Sequence, residues 1–311
     1  MRLMSGLQNL RAFVLDREAR PPVQDFSQGN SEILFIITNT QSWHFELVTP
    51  TWFVHRDVEY GMCGTIATIN NLSSYELFVH SRVSINLFKV ISPGNLRRLR
   101  LTSSCFFPHP IRQPNDNMSL LQHLILHDLL IIDHLITPSC PLWSSNLISF
   151  TYSQVHATLN ALSDRHLRDL ISGPGRNLQK LVLLGCRELS FTELAVCLNR
   201  LPGLRYFALS AFYIHELNAT FFRYLPSTLK TLKVRVRNVA RAPILLEDET
   251  TWCDEIEAKV LFGRHPVHQL CVDFRRSIIY RGRRDQRWQQ FANVRGISMH
   301  IGPWHLYELD G

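Results

Sequence analysis

The 311-residue chain is 45% hydrophobic and 19% charged, which makes it globular, with ample material for a core and room for roughly one to three ordinary domains. Its formal charge of +7, with 14 histidines, tolerates an acidic partner without demanding one. Seven cysteines with no C-x-x-C among them argue for reduced thiols rather than a disulfide framework. The opening MRLMSGLQNLRAF has no continuous apolar segment or small-residue cleavage site, so an intracellular protein, cytoplasmic or nuclear, is expected.

In chain order, one phrase keeps returning. Leu10, Phe13 and Leu15 take the spacing L-x-x-L-x-L, with Leu7 ahead of them, and Ile33 and Ile36 give a weak echo inside a strand-like apolar run. Between Gln41 and Asn70 the register is lost, and Trp43, Phe45, Trp52 and Phe53 read as an aromatic-rich insertion or an eroded repeat. From Leu72 the phrase is regular, with first positions at Leu72, Leu96, Leu121, Leu147, Leu178, Leu204, Leu229, Val267 and Val294, at intervals of 24, 25, 26, 31, 26, 25, 38 and 27 residues. An apolar pattern that returns near 25 residues is a repeat rather than an accident. The apolar run from Met118 to Ile136 is broken by His123, His127, Asp128, Asp133 and His134, so it does not read as a membrane span.

The unit at Leu178 shows the design. Leu178, Leu181, Leu183 and Cys186 spell L-x-x-L-x-L-x-x-C, the leucine-rich-repeat signature in which a short strand hands over to a turn. Leu181 and Leu183 point to the core, and Lys180, Val182 and Leu184 point the other way. Ser190 with Glu193 forms an S-x-x-E capping box that opens a helix through Leu194, Leu198 and Leu201. Further helices are expected between Thr158 and the Gly-Pro-Gly of Gly173–Gly175, over Ser84–Ile91, Ala219–Leu225 and Gln286–Ala292, and in the acidic DEIEAKVLFG segment. Strand alternating with helix predicts an α/β leucine-rich-repeat solenoid, with a parallel sheet inside and helices outside. Residues 1–311 form one domain in this reading, with an irregular part over 1–71 and regular repeats over 72–311.

The Leu178–Leu194 unit resembles the cysteine-containing leucine-rich repeats of F-box substrate receptors, and the irregular spacing resembles the degenerate repeats of fungal F-box-type proteins. The resemblance covers roughly Leu72–Met299 and implies a substrate-recognition role in a ubiquitin ligase. Only this unit carries Cys at the turn; His80, Ser104, Leu129, Val155, Phe212, Arg237, Arg275 and Gly302 stand there elsewhere. No F-box-like helical segment is legible ahead of Leu7, so docking of an F-box-binding ligase adaptor is not expected.

In such a repeat the strand residues facing away from the core line the surface where partners dock. The register nominates Arg98, Arg100, His123, His127, Lys180, Val182, Tyr206, Lys233 and Arg235 as partner-binding residues. Their mixed chemistry suits a protein or peptide better than a uniform polyanion. The competing reading is nucleic acid or another polyanion on two basic runs, Lys230 to Arg241 and Arg275 to Arg287, with Tyr280 and Trp288 for stacking. Six acids between Glu247 and Glu257 lie between those runs and are expected to pair with them.

No enzyme is expected. His55-Arg56-Asp57 copies three letters of a kinase catalytic loop, but Met62 stands where its asparagine belongs, and neither a glycine-rich loop nor D-F-G accompanies it. His123, His127, Asp133 and His134 do not have the helical spacing that would gather them around zinc. No G-x-S-x-G or phosphate-loop motif occurs. No cofactor, metal or membrane partner is expected.

Overall fold

A computed structural model of the chain describes residues 12–16, 44–48, 74–78, 97–102, 120–127, 129, 146–154, 162–186, 188–212, 219–237, 246–263 and 265–304. The remainder, which includes the Ile33–Ile36 echo, the Ser84–Ile91 helix and the His55–Asp57 triplet, lies outside the described residues. Contacts divide the chain into two compact units, one over residues 1–147 and 156–160 and the other over 148–155 and 161–311. Both are α/β or strand-built, and every strand pairing described is parallel.

The first unit holds β1 (Ala12–Asp16), β2 (His44–Val48), β3 (Ser74–Phe78), β4 (Arg98–Thr102) and β5 (His123–His127). β1 pairs with β2, placing Phe13 opposite Phe45 and Leu15 opposite Leu47. A strand therefore runs through the stretch where the sequence phrase is lost. β4 pairs with both β3 and β5, aligning Tyr75 with Leu99 and Leu77 with Leu101, then Leu99 with Leu124 and Leu101 with Leu126. Leu99, Leu101, Leu124 and Leu126 are buried.

The second unit holds β6 (Ser149–Ser153), β7 (Lys180–Cys186), β8 (Tyr206–Phe212), β9 (Thr231–Arg237), β10 (Gln269–Asp273) and β11 (Ser298–Ile301). They lie side by side in sequence order in an open sheet that does not close into a barrel. Phe150, Leu181, Phe207, Leu232, Leu270 and Met299 form one transverse row of register partners, and Tyr152, Leu183, Leu209, Val234, Val272 and Ile301 form a second. All but the two β11 residues are buried. The first letters of the phrase in this unit, Leu178, Leu204, Leu229 and Val267, are buried as well.

Backbone hydrogen bonds repeat with the same phase. The carbonyl of Ile148 accepts from the N–H groups of Gln179 and Lys180, that of Gln179 from Arg205 and Tyr206, that of Arg205 from Lys230 and Thr231, and that of Lys230 from His268 and Gln269. In the first unit Arg97 serves Gln122 and His123 in the same way. In β7, Gly185 adopts φ 75° as an extra residue between Leu184 and Cys186, so the alternation is reset and Cys186 pairs with Ala211. The expected turn cysteine is thus the buried last residue of a strand.

The connections are helical. α1 (Asp164–Ser172) precedes β7, and α2 (Phe191–Asn199) follows it. Ser190 Oγ accepts from the Glu193 N–H at 3.1 Å, as the S-x-x-E spacing predicts. The reciprocal half of the box is absent. The Glu193 carboxylate takes both ends of the Arg168 guanidinium, at 2.9 Å each, and Asp164 accepts from the Ser190 N–H and Oγ instead. A 3-10 turn spans Ala219–Tyr224. α3 (Leu246–Ile256) runs on into a wider turn over Glu257–Leu261. α4 (Arg276–Ile279) leads through Arg281–Arg283 to α5 (Arg284–Arg295), which begins two residues ahead of the expected Gln286 and ends three beyond Ala292. Phe191, Phe221, Phe222 and Trp252 pack ring against ring behind the sheet, and Phe207 reaches Phe221 from β8. No helix among the described residues is long and apolar enough to cross a membrane.

Candidate functional site

The two-residue period that sends Leu181 and Leu183 to the core sends Lys180, Val182 and Leu184 to the opposite face of the second unit's sheet. Register assembles three rows there. The first contains Ser149, which is buried, and then Lys180, Tyr206, Thr231, Gln269 and Ser298. Lys180, Tyr206 and Thr231 are half-buried, and Gln269 and Ser298 are exposed. Tyr206 is flanked by two ammonium groups, Lys180 Nζ at 5.3 Å and Lys233 Nζ at 5.8 Å from the ring centroid, an attraction of about 0.5 to 1 kcal/mol for the partly solvated Lys180.

The other two rows are closed except at their far ends, where His300 is exposed and Asp273 half-buried. Thr151, Val182, Ala208, Lys233 and Cys271 in the second row, and Ser153, Leu184, Ser210 and Arg235 in the third, are buried. The expectation of a solvated face at Val182, Lys233 and Arg235 is therefore corrected. The described cover is Trp304, 1% exposed, which forms one apolar cluster with Val182, Leu184, Ala208 and Cys271 against which Tyr206 packs. Arg235 stacks its guanidinium 4.6 Å from the Trp304 ring centroid. Its Nη1 donates to the Trp304 carbonyl at 3.1 Å and its Nε to Ser210 Oγ at 3.0 Å. A buried guanidinium is tolerable here because stacking and charge-assisted hydrogen bonds replace part of its hydration. Trp304 arrives through Gly302, whose φ of 140° suits glycine and whose N–H donates to the Val272 carbonyl at 2.9 Å.

In the first unit, Arg98 and Arg100 on β4 and His123 and His127 on β5 are half-buried on the face opposite Leu99 and Leu124. Arg98 sits opposite His123, and Arg100 sits opposite Ile125. Among the described residues no group of three or more histidine, cysteine or acidic side chains could hold a metal ion.

Of the two basic runs, the second pairs with the intervening acids as the charge pattern predicts, whereas Lys233 and Arg235 of the first turn to Tyr206, Ser210 and Trp304. Arg223, which also takes an acid, lies outside both runs. Arg275 pairs with Glu249 at 3.0 Å, Arg284 with Asp254 at 2.6 Å, and Arg223 with Glu255 at 3.8 Å. Arg287 grips Glu257 with two hydrogen bonds of 2.9 Å, and Trp288 Nε1 donates to the same carboxylate at 3.0 Å. Burial pushes the Glu257 carboxyl up, but those donors outweigh it and hold the group below the usual carboxylate range. Glu249, more deeply enclosed, is pushed up by burial despite Arg275. Burial also raises the free thiols of Cys197 and Cys253 to about 12, and Cys186 higher still, so none is a thiolate nucleophile at neutral pH.

Sequence reasoning missed Trp304. Its signal was local, since Gly302-Pro303 is a turn dipeptide after the last repeat phrase and an aromatic residue follows it directly. No family model matches the chain, and a search of curated proteins returns no match.

Proposed function

We propose that each unit is a stack of leucine-rich repeats and that the chain is a non-catalytic scaffold that binds a protein partner on the strand face, as a substrate-recognition module does. The observation that carries the reading is the carbonyl ladder Ile148, Gln179, Arg205, Lys230. Each member accepts two N–H groups from the next unit, while the L-x-x-L-x-L leucines align across the strands. Each strand-plus-helix unit is too thin to bury its apolar face alone, so stacking supplies the core and leaves a row of side chains in repeating geometry.

Within the second unit the surface open to a partner is the first row from Lys180 onward. Lys180, Tyr206 and Thr231 supply partly exposed cationic, aromatic and hydroxyl groups, and Gln269 continues them with an amide. An aromatic ring held between two cations, with polar neighbours, is the composition of a protein-binding hot spot rather than of a reaction centre. Affinity capture from cell extract with the intact chain, Tyr206→Ala and Lys180→Glu tests this. A partner retained by the intact chain and released by both variants supports it; identical capture by all three overturns the assignment. Recovery of an F-box-binding ligase adaptor would add the ubiquitin-ligase role.

A polyanion reading retains one specific observation. Arg281 and Arg283, on the turn between α4 and α5, and Arg276, at the start of α4, are exposed as is Tyr280 (59%), whereas Arg275, Arg284 and Arg287 are engaged with carboxylates. Binding there would weaken steeply with added salt, and protein docking on the Tyr206 row would not follow that slope.

A further inference from the structure

The inner rows of the second unit's sheet are covered by the chain's own Trp304. We propose that the face made by Val182, Leu184, Ala208 and Cys271, with Arg235 and Ser210 at its end, is a groove for an extended protein segment bearing a tryptophan, kept shut by the chain's own Gly302–Trp304. The proposal rests on the scaffold reading of the strand face and names the chemistry that face selects.

Three features of the contact define the partner. The four small and branched side chains make an apolar floor on which a large flat ring lies. The Arg235 guanidinium covers that ring at 4.6 Å, so the ring must be an aromatic that attracts a cation, and indole does so best. Arg235 Nη1 also donates to the main-chain carbonyl of the same residue, which reads backbone rather than sequence and requires the segment to be extended enough to present it.

Two further features make the occupant removable. It leaves from β11, a four-residue edge strand whose side chains are all exposed or half-exposed, and such elements open locally at less than the free energy of global unfolding. The Trp304 Nε1–H, although buried, has no hydrogen-bond partner among the described residues. A buried donor left unpaired has lost its hydrogen bond to water without a replacement, so the internal segment fits imperfectly and a partner that satisfies the donor starts with an advantage. While it remains seated, the tethered segment competes at an effective concentration on the order of millimolar, and the groove's apparent affinity falls by the fraction of time it is closed.

The test uses the full chain and a labelled peptide of residues 300–311 as probe. Trp304→Ala should bind the peptide at least about tenfold more tightly than the intact chain does, and a peptide carrying Trp304→Ala should not bind. Equal affinities for the two chains, or binding that ignores the peptide's tryptophan, overturn the proposal. Should Trp304→Ala fail to fold, hydrogen exchange in the unaltered chain decides. Exchange of the Gly302 amide at least about tenfold faster than the β9 amides shows local release, and exchange of both at one common rate shows that Trp304 is core and nothing more. Peptide binding that persists while Tyr206→Ala still captures the cellular partner would sink the scaffold reading and spare the groove. The converse result would sink the groove alone.

Discussion

Trp252 in α3 gives the sharpest energetic prediction. It is fully buried, with Phe191 and Phe221 each 5.1 Å away and Phe222 at 5.6 Å between ring centroids. Its Nε1–H has no hydrogen-bond partner among the described residues. Trp252→Ala removes three aromatic contacts worth about 0.5 to 1.5 kcal/mol each beyond burial and leaves a cavity, so a loss of about 3 to 5 kcal/mol is expected. Trp252→Phe keeps a ring against its neighbours and gives up two carbons and the nitrogen, the carbons being worth roughly 1.6 kcal/mol at about 0.8 each. It also removes an unpaired buried donor that costs about 1 to 3 kcal/mol. The two effects offset, and Trp252→Phe should fall within about 1 kcal/mol of the unaltered chain. Urea unfolding followed by far-ultraviolet circular dichroism, compared at constant slope, measures both variants. A Trp252→Phe loss as large as that of Trp252→Ala would refute the reasoning, because the indole N–H would then be making a favourable bond.

Three other outcomes follow from the same geometry. Leu181→Ala should lose about 2 to 5 kcal/mol in the same assay, and Leu181→Asp should unfold β6 to β9 together; a soluble Leu181→Asp protein with one sharp melt would argue against the aligned leucine row. Arg235→Ala should lose roughly 2 to 4 kcal/mol, combining charge-assisted hydrogen bonds with a desolvated cation–π contact, while Lys180→Ala stays within about 1 kcal/mol; equal effects would contradict the difference in burial. For Glu257 the folded carboxyl lies below its ordinary 4.5, so as pH falls the unfolded chain binds the proton first. Its contribution to stability is therefore complete above about pH 4.5 and disappears as pH drops through the folded value. Glu257→Gln should flatten that part of a stability-against-pH curve, and an unchanged acid limb would show the Arg287 and Trp288 bonds to be without effect.

The sequence made the core rows legible because alternation and the L-x-x-L-x-L spacing both describe one buried face. Leu99, Leu124, Leu181, Phe207 and Leu232 are all buried on the rows their spacing predicts. The opposite face was misread at Val182 and Arg235, since periodicity says which way a side chain points and nothing about what lies over it. A clue was nevertheless present. KLVLLGC and YFALSAF are close to continuous apolar runs, and strands that bury both faces read that way. The cap at Ser190 was local and legible, but its second partner, Asp164, lies 26 residues away on another helix, and no short-range pattern points to it. The salt-bridged arginines were anticipated as a group because opposite charges sit in adjacent runs; which arginines stay exposed depends on the tight turn at Gly282 and Arg283, both at positive φ.

The most direct measurement is site-specific photocrosslinking to the captured partner. A benzophenone side chain placed at Gln269, exposed on the strand face, should yield an adduct with it, and the same group at Val294, 86% exposed on α5, should yield none. Adducts at Val294 in the absence of adducts at Gln269 would place the partner on the helices and contradict the account.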